Sequence, residues 1–376
     1  FKQKTAYEIY QCDWSSDVCS SDLLALVGGF DQQISRQRLY GDLTLRNNHY
    51  SRNDLLNNNS YALSGGLDWQ TIERLSGKLT LRANRDLLRY SSVDQPTGVK
   101  NLVSTRQADL SARLGGVTDL TFEAGAGYRS VDYSDQRYDP SDNDQAYGSL
   151  GVRYWPSGAT SFGTSVRQTH GRYPRYRTPT GGEIQADNFD RTDVDLAAWL
   201  ELSGFTNLYA RLSHTRLNYD LQDDFSGFTG LVSLNYQITG QVQVHGEFAR
   251  DRGQDLRFVF VNPGAELVQA ETASLVTAWR GNVRYDLTGK TSLTANLGYT
   301  RRPVNLNATP LFGGTGTQTD GRETRHQYGI GFTWTPTRTS QVGCDLSRER
   351  RKSDAVEQLN LSSNVTSCYA QLTLQP

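Results

Sequence analysis

From about Leu39 onward the sequence keeps one rhythm, with apolar and polar residues exchanging places at every step. Period two belongs to a strand that buries one face and wets the other; a helix cannot gather such a pattern on one side. Leu79, Leu81 and Ala83 alternate with Lys78, Thr80, Arg82 and Asn84. Val194, Leu196, Ala198, Leu200 and Leu202 alternate with Asp193, Asp195, Ala197, Trp199 and Glu201. Tyr328, Ile330, Phe332 and Trp334 face away from Gln327, Gly329, Gly331 and Thr333. Sixteen such runs are legible, near 37–47, 60–70, 75–89, 105–115, 119–132, 143–154, 160–172, 189–202, 205–219, 227–238, 241–251, 270–287, 291–303, 324–335, 339–351 and 363–375. Leu24 to Phe30 reads as the end of an earlier strand.

The connections narrow the fold further. Short turns fall at Ile72-Glu73, Val117-Thr118, Pro156-Ser157-Gly158, Gly204, Thr239-Gly240, Gly289-Lys290 and Pro336-Thr337. Between them come long polar loops at 48–59, 88–104, 133–142, 173–188, 252–269, 304–323 and 352–362. Short-long alternation is the signature of a membrane barrel with tight periplasmic turns and longer extracellular loops. A sandwich or propeller would show Greek-key jumps or a blade repeat, and neither is present. On the apolar face Trp69, Tyr154, Tyr236, Tyr285 and Trp334 each stand beside a short turn, which predicts an aromatic girdle at the periplasmic interface.

Composition agrees. No stretch approaches the ~20 apolar residues of a membrane helix, and 39 Lys+Arg against 40 Asp+Glu leave no field to steer nucleic acid. The 35 Gly, 20 Tyr, 13 Phe and 6 Trp suit strands. The expected fold is all-β: a transmembrane antiparallel β-barrel in the outer membrane. Bacterial barrels have an even strand number, so sixteen visible strands plus a partial one predict eighteen in the intact protein, with sixteen as the alternative. A barrel of that size encloses an aqueous lumen.

Residues 1–23 share no pattern with the rest. The codons AAG CAG AAG ACG GCA TAC GAG read Lys2 to Glu8, and GAC TGG AGT TCA GAC GTG TGC TCT TCC GAT read Asp13 to Asp22. Both strings match a widely used short-read sequencing adapter. The segment is expected to be foreign, leaving 24–376 as a single, N-terminally truncated barrel. Without its two lysines and four acids the chain carries 37 basic and 36 acidic residues, and of four cysteines Cys344 and Cys368 remain.

The face opposite the apolar one carries Arg46, Lys78, Arg82, Arg113, Arg129, Arg153, Arg167, Arg211, Arg280 and Arg284. With them stand Asp42, Asp68, Asp109, Glu123, Asp193, Asp195, Glu201, Glu247, Asp286 and Asp345. Mixed charge on one face reads either as a solvated wall held by cross-strand pairs or as a hydrophilic conduit. In the conduit Arg, Asp and Asn would bond sugar hydroxyls while Tyr40, Tyr147, Trp199 and Tyr209 offer stacking surfaces. No cofactor is expected, and His49, His170, His214, His245 and His326 have no metal-ligand spacing. No nucleophile accompanies the three histidines nearest the outer rim, so no enzyme activity is expected. Cys344 and Cys368 share parity on the last two strands; with the final loop centred near Val356 they oppose one another across one ladder, close enough for a disulfide.

Several strings stand out: ISRQRL at Ile34 to Leu39, LDWQ at Leu67 to Gln70, LSGKL at Leu75 to Leu79, SRERR at Ser347 to Arg351 and CYAQLTLQ at Cys368 to Gln375. Together they resemble the EpsL-type outer-membrane proteins of exopolysaccharide operons associated with exosortase systems in Gram-negative bacteria. The resemblance implies a barrel that serves production or export of an extracellular polysaccharide. Its partners would be outer-membrane lipid, the polymer, and periplasmic export or synthesis components. It supplies no catalytic residues. The alternatives are a general diffusion porin, a barrel hydrolase acting at the outer rim and a plugged barrel that docks export partners. Many barrels end in an aromatic residue, whereas this chain ends Leu374-Gln375-Pro376.

Overall fold

The computed structural model describes residues 4–9, 20–50, 54–71, 74–88, 100–115, 119–177, 184–222, 224–252, 257–258, 268–269, 275–308, 317–354 and 360–374. The strands in chain order are β1 (Lys4–Ile9), β2 (Ser20–Ile34), β3 (Gln37–Tyr50), β4 (Asn58–Gln70), β5 (Leu75–Leu87), β6 (Leu102–Leu114) and β7 (Leu120–Tyr133). There follow β8 (Asn143–Ser157), β9 (Thr160–Arg177), β10 (Ile184–Ser203), β11 (Thr206–Tyr219), β12 (Phe225–Gln237), β13 (Val242–Arg252), β14 (Arg257–Phe258) and β15 (Val268–Gln269). The chain continues with β16 (Leu275–Thr288), β17 (Thr291–Ala308), β18 (Thr317–Trp334), β19 (Ser340–Ser353) and β20 (Leu361–Leu374).

All but β14 and β15 form one 18-stranded antiparallel sheet in which each strand pairs with its neighbours in sequence. The sheet is closed, because β1 pairs with β2 on one side and β20 on the other. Closure leaves no free edge, which is the condition for a sheet to cross a bilayer. The two cysteines sit opposite one another in the β19–β20 register and are joined by a disulfide.

Outward positions carry an apolar surface that water would not tolerate over such an area. Leu150 is 72% exposed, and Leu26, Leu63, Leu110, Val166, Leu212, Leu297, Ile330 and Leu346 continue the belt around the ring. Trp69, Tyr154, Tyr236, Tyr285 and Trp334 take outward positions at the short-turn end. At the other end of the same face stand Tyr128, Phe228, Phe248, Trp279, Tyr299 and Tyr328. The barrel therefore lies in the outer membrane, its belt bounded by aromatic rings on both sides.

Several details differ from the sequence expectation. The partial strand at Leu24 to Phe30 belongs to the full 15-residue β2, joined to β3 through Ser35 and Arg36, with Ser35 at φ 55°. The ring-completing β1 lies within residues 1–23, the segment expected to be foreign. The loops expected at 173–188 and 304–323 are largely strand: β9 and β10 pair out to Arg177 and Ile184, β17 and β18 out to Ala308 and Thr317. Beyond the bilayer both faces of a ladder meet water, so the apolar alternation stops while backbone pairing continues. Of the strand expected at 270–287, 270–274 lie outside the described residues and the rest is β16; part of the 252–269 loop forms the β14–β15 pair. Ile72-Glu73, Val117-Thr118, Val356, Cys12, Cys19 and Gln375-Pro376 lie outside the described residues, as does 89–99 of the loop at 88–104. Gly115, at the start of the turn after β6, has φ 119°, which a side chain would resist.

Candidate functional site

The inner face is organised around one wall, from β6 to β13. Near the short-turn end, Glu123 on β7 binds Arg113 of β6 (3.2 Å) and Arg153 of β8 (3.1 Å). The Arg153 guanidinium carbon in turn lies 3.6 Å from the centre of the Trp199 ring on β10. Such a cation–π contact contributes about 0.5–2 kcal/mol. Trp199 pairs in register with Tyr209 of β11, their ring centres 5.2 Å apart. The intervening strand β9 places Gly163 beneath the indole, 3.1 Å from a ring carbon for any added Cβ. Four residues expected to line the lumen (Arg113, Arg153, Trp199 and Tyr209) thus form one continuous strip.

Higher on the wall Tyr147 of β8 lies over Gly127 of β7 and donates its hydroxyl to Asp109 (2.9 Å), with the Arg167 guanidinium 5.4 Å from its ring centre. A Cβ on Gly127 would fall 2.3 Å from the Tyr147 ring, so the glycine is what lets the ring lie along the wall. The same arrangement recurs at Tyr40 over Gly66 and Tyr369 over Gly343.

Next comes a buried ionic cluster. Arg191 of β10 donates to both oxygens of Asp193 (Nε–Oδ2 2.8 Å) and to Asp251 of β13 (3.0 Å), which also faces Arg211 at 3.9 Å. Thr215 donates to Asp193 (2.6 Å); Ser165 (3.2 Å) and Ser213 donate to Asp195. At the mouth Tyr173, Phe189 and Tyr219 form a ring cluster, centres 5.8 and 5.6 Å apart. Arg252 reaches over Tyr219 and Phe225 at 5.6 and 5.1 Å. Outside the membrane-crossing stretch, Arg175 binds Asp139 (2.9 Å) and Asp142 (2.6 Å). Burial pushes the Asp142 carboxyl above its usual range, against the opposing pull of the Tyr133 amide and Arg175.

Placement on the inner face is not the same as lining it. Asp193, Asp195 and Arg129, expected as lining groups, are covered, and the two aspartates tie neighbouring strands together. Neighbouring side chains on an inward-curving ladder crowd over one another, which a single strand's alternation does not reveal. The inner face near the mouth is also partly apolar, with Val131, Leu217, Val276 and Ala278 buried there. Arg82 and Glu201 occupy exposed inner positions, and Arg284 binds Asp286 at 2.9 Å. The groups missed in the sequence (Arg191, Asp251, Tyr173, Phe189, Tyr219 and Phe225) lie where strands had been read as loops or at strand ends. Counting by two back from Asp193 reaches Arg191 and Phe189, and forward from Thr215 reaches Tyr219; Asp251, Tyr173 and Phe225 are brought to them by the strand register.

Three of the histidines considered for an outer-rim active site face outward. His170 pairs with Asp190, His214 meets Phe228 edge-on, and His326 lies 5.1 Å from Tyr299 and 6.4 Å from Tyr328. Among the described residues no hydroxyl bonds to any of them, and no three His, Cys, Asp or Glu gather as a metal-binding group.

No family model and no curated protein matches the chain. Among solved structures it is similar to the FrpB iron transporter from Neisseria meningitidis in its apoprotein form (F5-1 variant), at 8% identity and a TM-score of 0.51 over 94% of this chain and 61% of that one. It is similar to the copper transporter OprC at 12% identity and a TM-score of 0.50, over 98% of this chain and 64% of that one. OccK1 (OpdK) from Pseudomonas aeruginosa aligns at 13% identity and a TM-score of 0.46, over 100% and 97% of the two chains. The chain thus spans about three-fifths of the length of the iron transporter. At such identities the likeness to the iron and copper transporters is one of fold alone: a large, closed outer-membrane barrel.

Proposed function

We propose that this barrel carries an extracellular polysaccharide across the outer membrane, as a hydrophilic conduit or as the outer component of an export complex. The observation that carries the reading is the inner wall from β6 to β13. Aromatic rings stand at its mouth (Tyr173, Phe189, Tyr219), midway (Tyr147) and near its short-turn end (Trp199, Tyr209), with paired Arg and carboxylate groups between them. Sugars offer apolar ring faces to stack and hydroxyls to bond, and this wall presents both kinds of partner along its length. Its charges are matched internally, which suits a largely neutral polymer better than a simple ion. The strings ISRQRL, LDWQ, LSGKL, SRERR and CYAQLTLQ add their resemblance to exopolysaccharide-operon proteins.

The test is where polymer accumulates in a strain lacking the barrel. Periplasmic retention with loss of extracellular polymer is the expected result. Complementation with the W199A/Y209A variant should restore the barrel but only part of the secretion. Unchanged secretion in the deletion strain would overturn the reading and favour a general porin, for which size-limited uptake of small neutral solutes is the assay.

A further inference from the structure

The string SRERR was not used by the lumen, and its charges divide between the two faces. Glu349 and Arg351 point inward, to Arg325 (2.6 Å) and Glu323 (2.6 Å). Arg348 and Arg350 point outward, as does Lys352 one step on. These outward cations belong to a larger pattern that only the register reveals. Arg250, Thr277, Arg301, Thr324 and Lys352 follow one another across β13, β16, β17, β18 and β19 as a single row. A cation therefore stands on every second strand, roughly 10 Å apart at the usual strand spacing, with a threonine hydroxyl between.

The next outward row towards the short turns is Phe248, Trp279, Tyr299, His326 and Arg350. Below it the row Gly246, Gly281, Leu297, Tyr328 and Arg348 leads to Val244, Val283, Ala295, Ile330 and Leu346, where the face is wholly aliphatic. Aliphatic belt, aromatic row, cation row is the order of a bilayer from its hydrocarbon to its headgroups. With the short turns in the periplasm, these cations meet the outer leaflet at phosphate depth.

The residues opposite the row cations across the ladders are neutral: Thr277 and Gly230 for Arg250, Thr277 and Thr324 for Arg301, Thr324 for Lys352. Arg348 and Arg350 likewise oppose Tyr328, His326, Asn364 and Ser362. Elsewhere on the outward face the bases form no such spaced row: Arg106 opposes Ala83 and Ser130, and Arg216 opposes Thr192 and Ser226. Arg172 opposes Asp144 and His170 pairs with Asp190. Asp354, past β19, makes no ion pair among the described residues.

From this evenly spaced row at headgroup depth we infer that the outward arc of β13 and β16–β19 binds the phosphate groups of outer-leaflet lipid headgroups, holding phosphorylated glycolipid on one side of the barrel. Guanidinium and ammonium groups supply the charge, and the two threonines supply neutral donors between them.

The experiment uses the full chain in phosphatidylcholine bicelles, titrated with bis-phosphorylated lipid A or with the same lipid stripped of its phosphates. Wild type should prefer the phosphorylated lipid by on the order of tenfold to a hundredfold, weakening as salt rises. The R250Q/R301Q/K352Q variant should lose that preference, and the R106Q/R172Q variant should keep it. Millimolar inorganic phosphate should not displace the lipid. Equal binding of the two lipids by wild type would overturn the inference without any variant having to fold. Equal losses in both variants would do the same, since charge alone would then account for the binding. Displacement by inorganic phosphate would show a site for free anions and refute the lipid assignment.

Discussion

The buried cluster around Arg191 gives a sharp test of what holds the inner wall. Its side chain is 7% exposed, those of Asp193 and Asp251 3% and 7%, and it bridges the two carboxylates. Replacing it with methionine fills similar volume but leaves two buried acids. Asp193 would keep the Thr215 hydroxyl at 2.6 Å and Asp251 would keep Arg211 at 3.9 Å. Removing one partner of a buried ion pair costs about 3–5 kcal/mol, and the surviving contacts put R191M near 3. R191K retains the charge but cannot span both acids in the planar fork, so a loss of about 1–2 kcal/mol is expected. The triple variant R191M/D193N/D251N removes charge from both sides and should recover most of the loss. Urea titration of the refolded barrel, followed by tryptophan fluorescence with circular dichroism as second probe, measures all three. An R191M variant within about 1 kcal/mol of wild type would refute the reasoning. So would a triple variant less stable than R191M.

Other outcomes follow from the same geometry. Replacing Cys344 and Cys368 with serine, or adding reductant, should cost roughly 2–4 kcal/mol; two freely labelled thiols in the oxidised protein would contradict this. G127A should push the Tyr147 ring off the wall and break its bond to Asp109, costing about 0.5–1.5 kcal/mol and narrowing single-channel conductance; G127A/Y147A should restore the conductance. G230A meets the backbone carbonyl of Arg211 at 2.7 Å, which cannot swing away, and should destabilise the barrel more than G127A. We also propose that residues 1–23 are foreign, so genomic DNA upstream of Leu24 should encode another strand in place of β1; the codons of FKQKTAYEIY there would refute it.

Much of this protein is legible in its sequence. Alternation of period two depends only on which face of a strand meets lipid, so each run announces itself without its neighbours. That is why the barrel, its turns at Gly204, Gly289-Lys290 and Pro336-Thr337, the turn-side aromatics and the pairing of Cys344 with Cys368 could be read directly. The same signal faded where lipid no longer imposed it, and the outer reaches of β9, β10, β17 and β18 therefore passed for loops.

What the sequence could not supply was the lateral order. Trp199 beside Tyr209, Arg153 against Trp199, Asp251 bound to Arg191, and the row from Arg250 to Lys352 join residues up to a hundred positions apart. Their distances depend on the stagger of neighbouring strands, and that stagger is a property of the closed ring. Parity along a strand determined which way each side chain points; only closure of the sheet decided what it meets there.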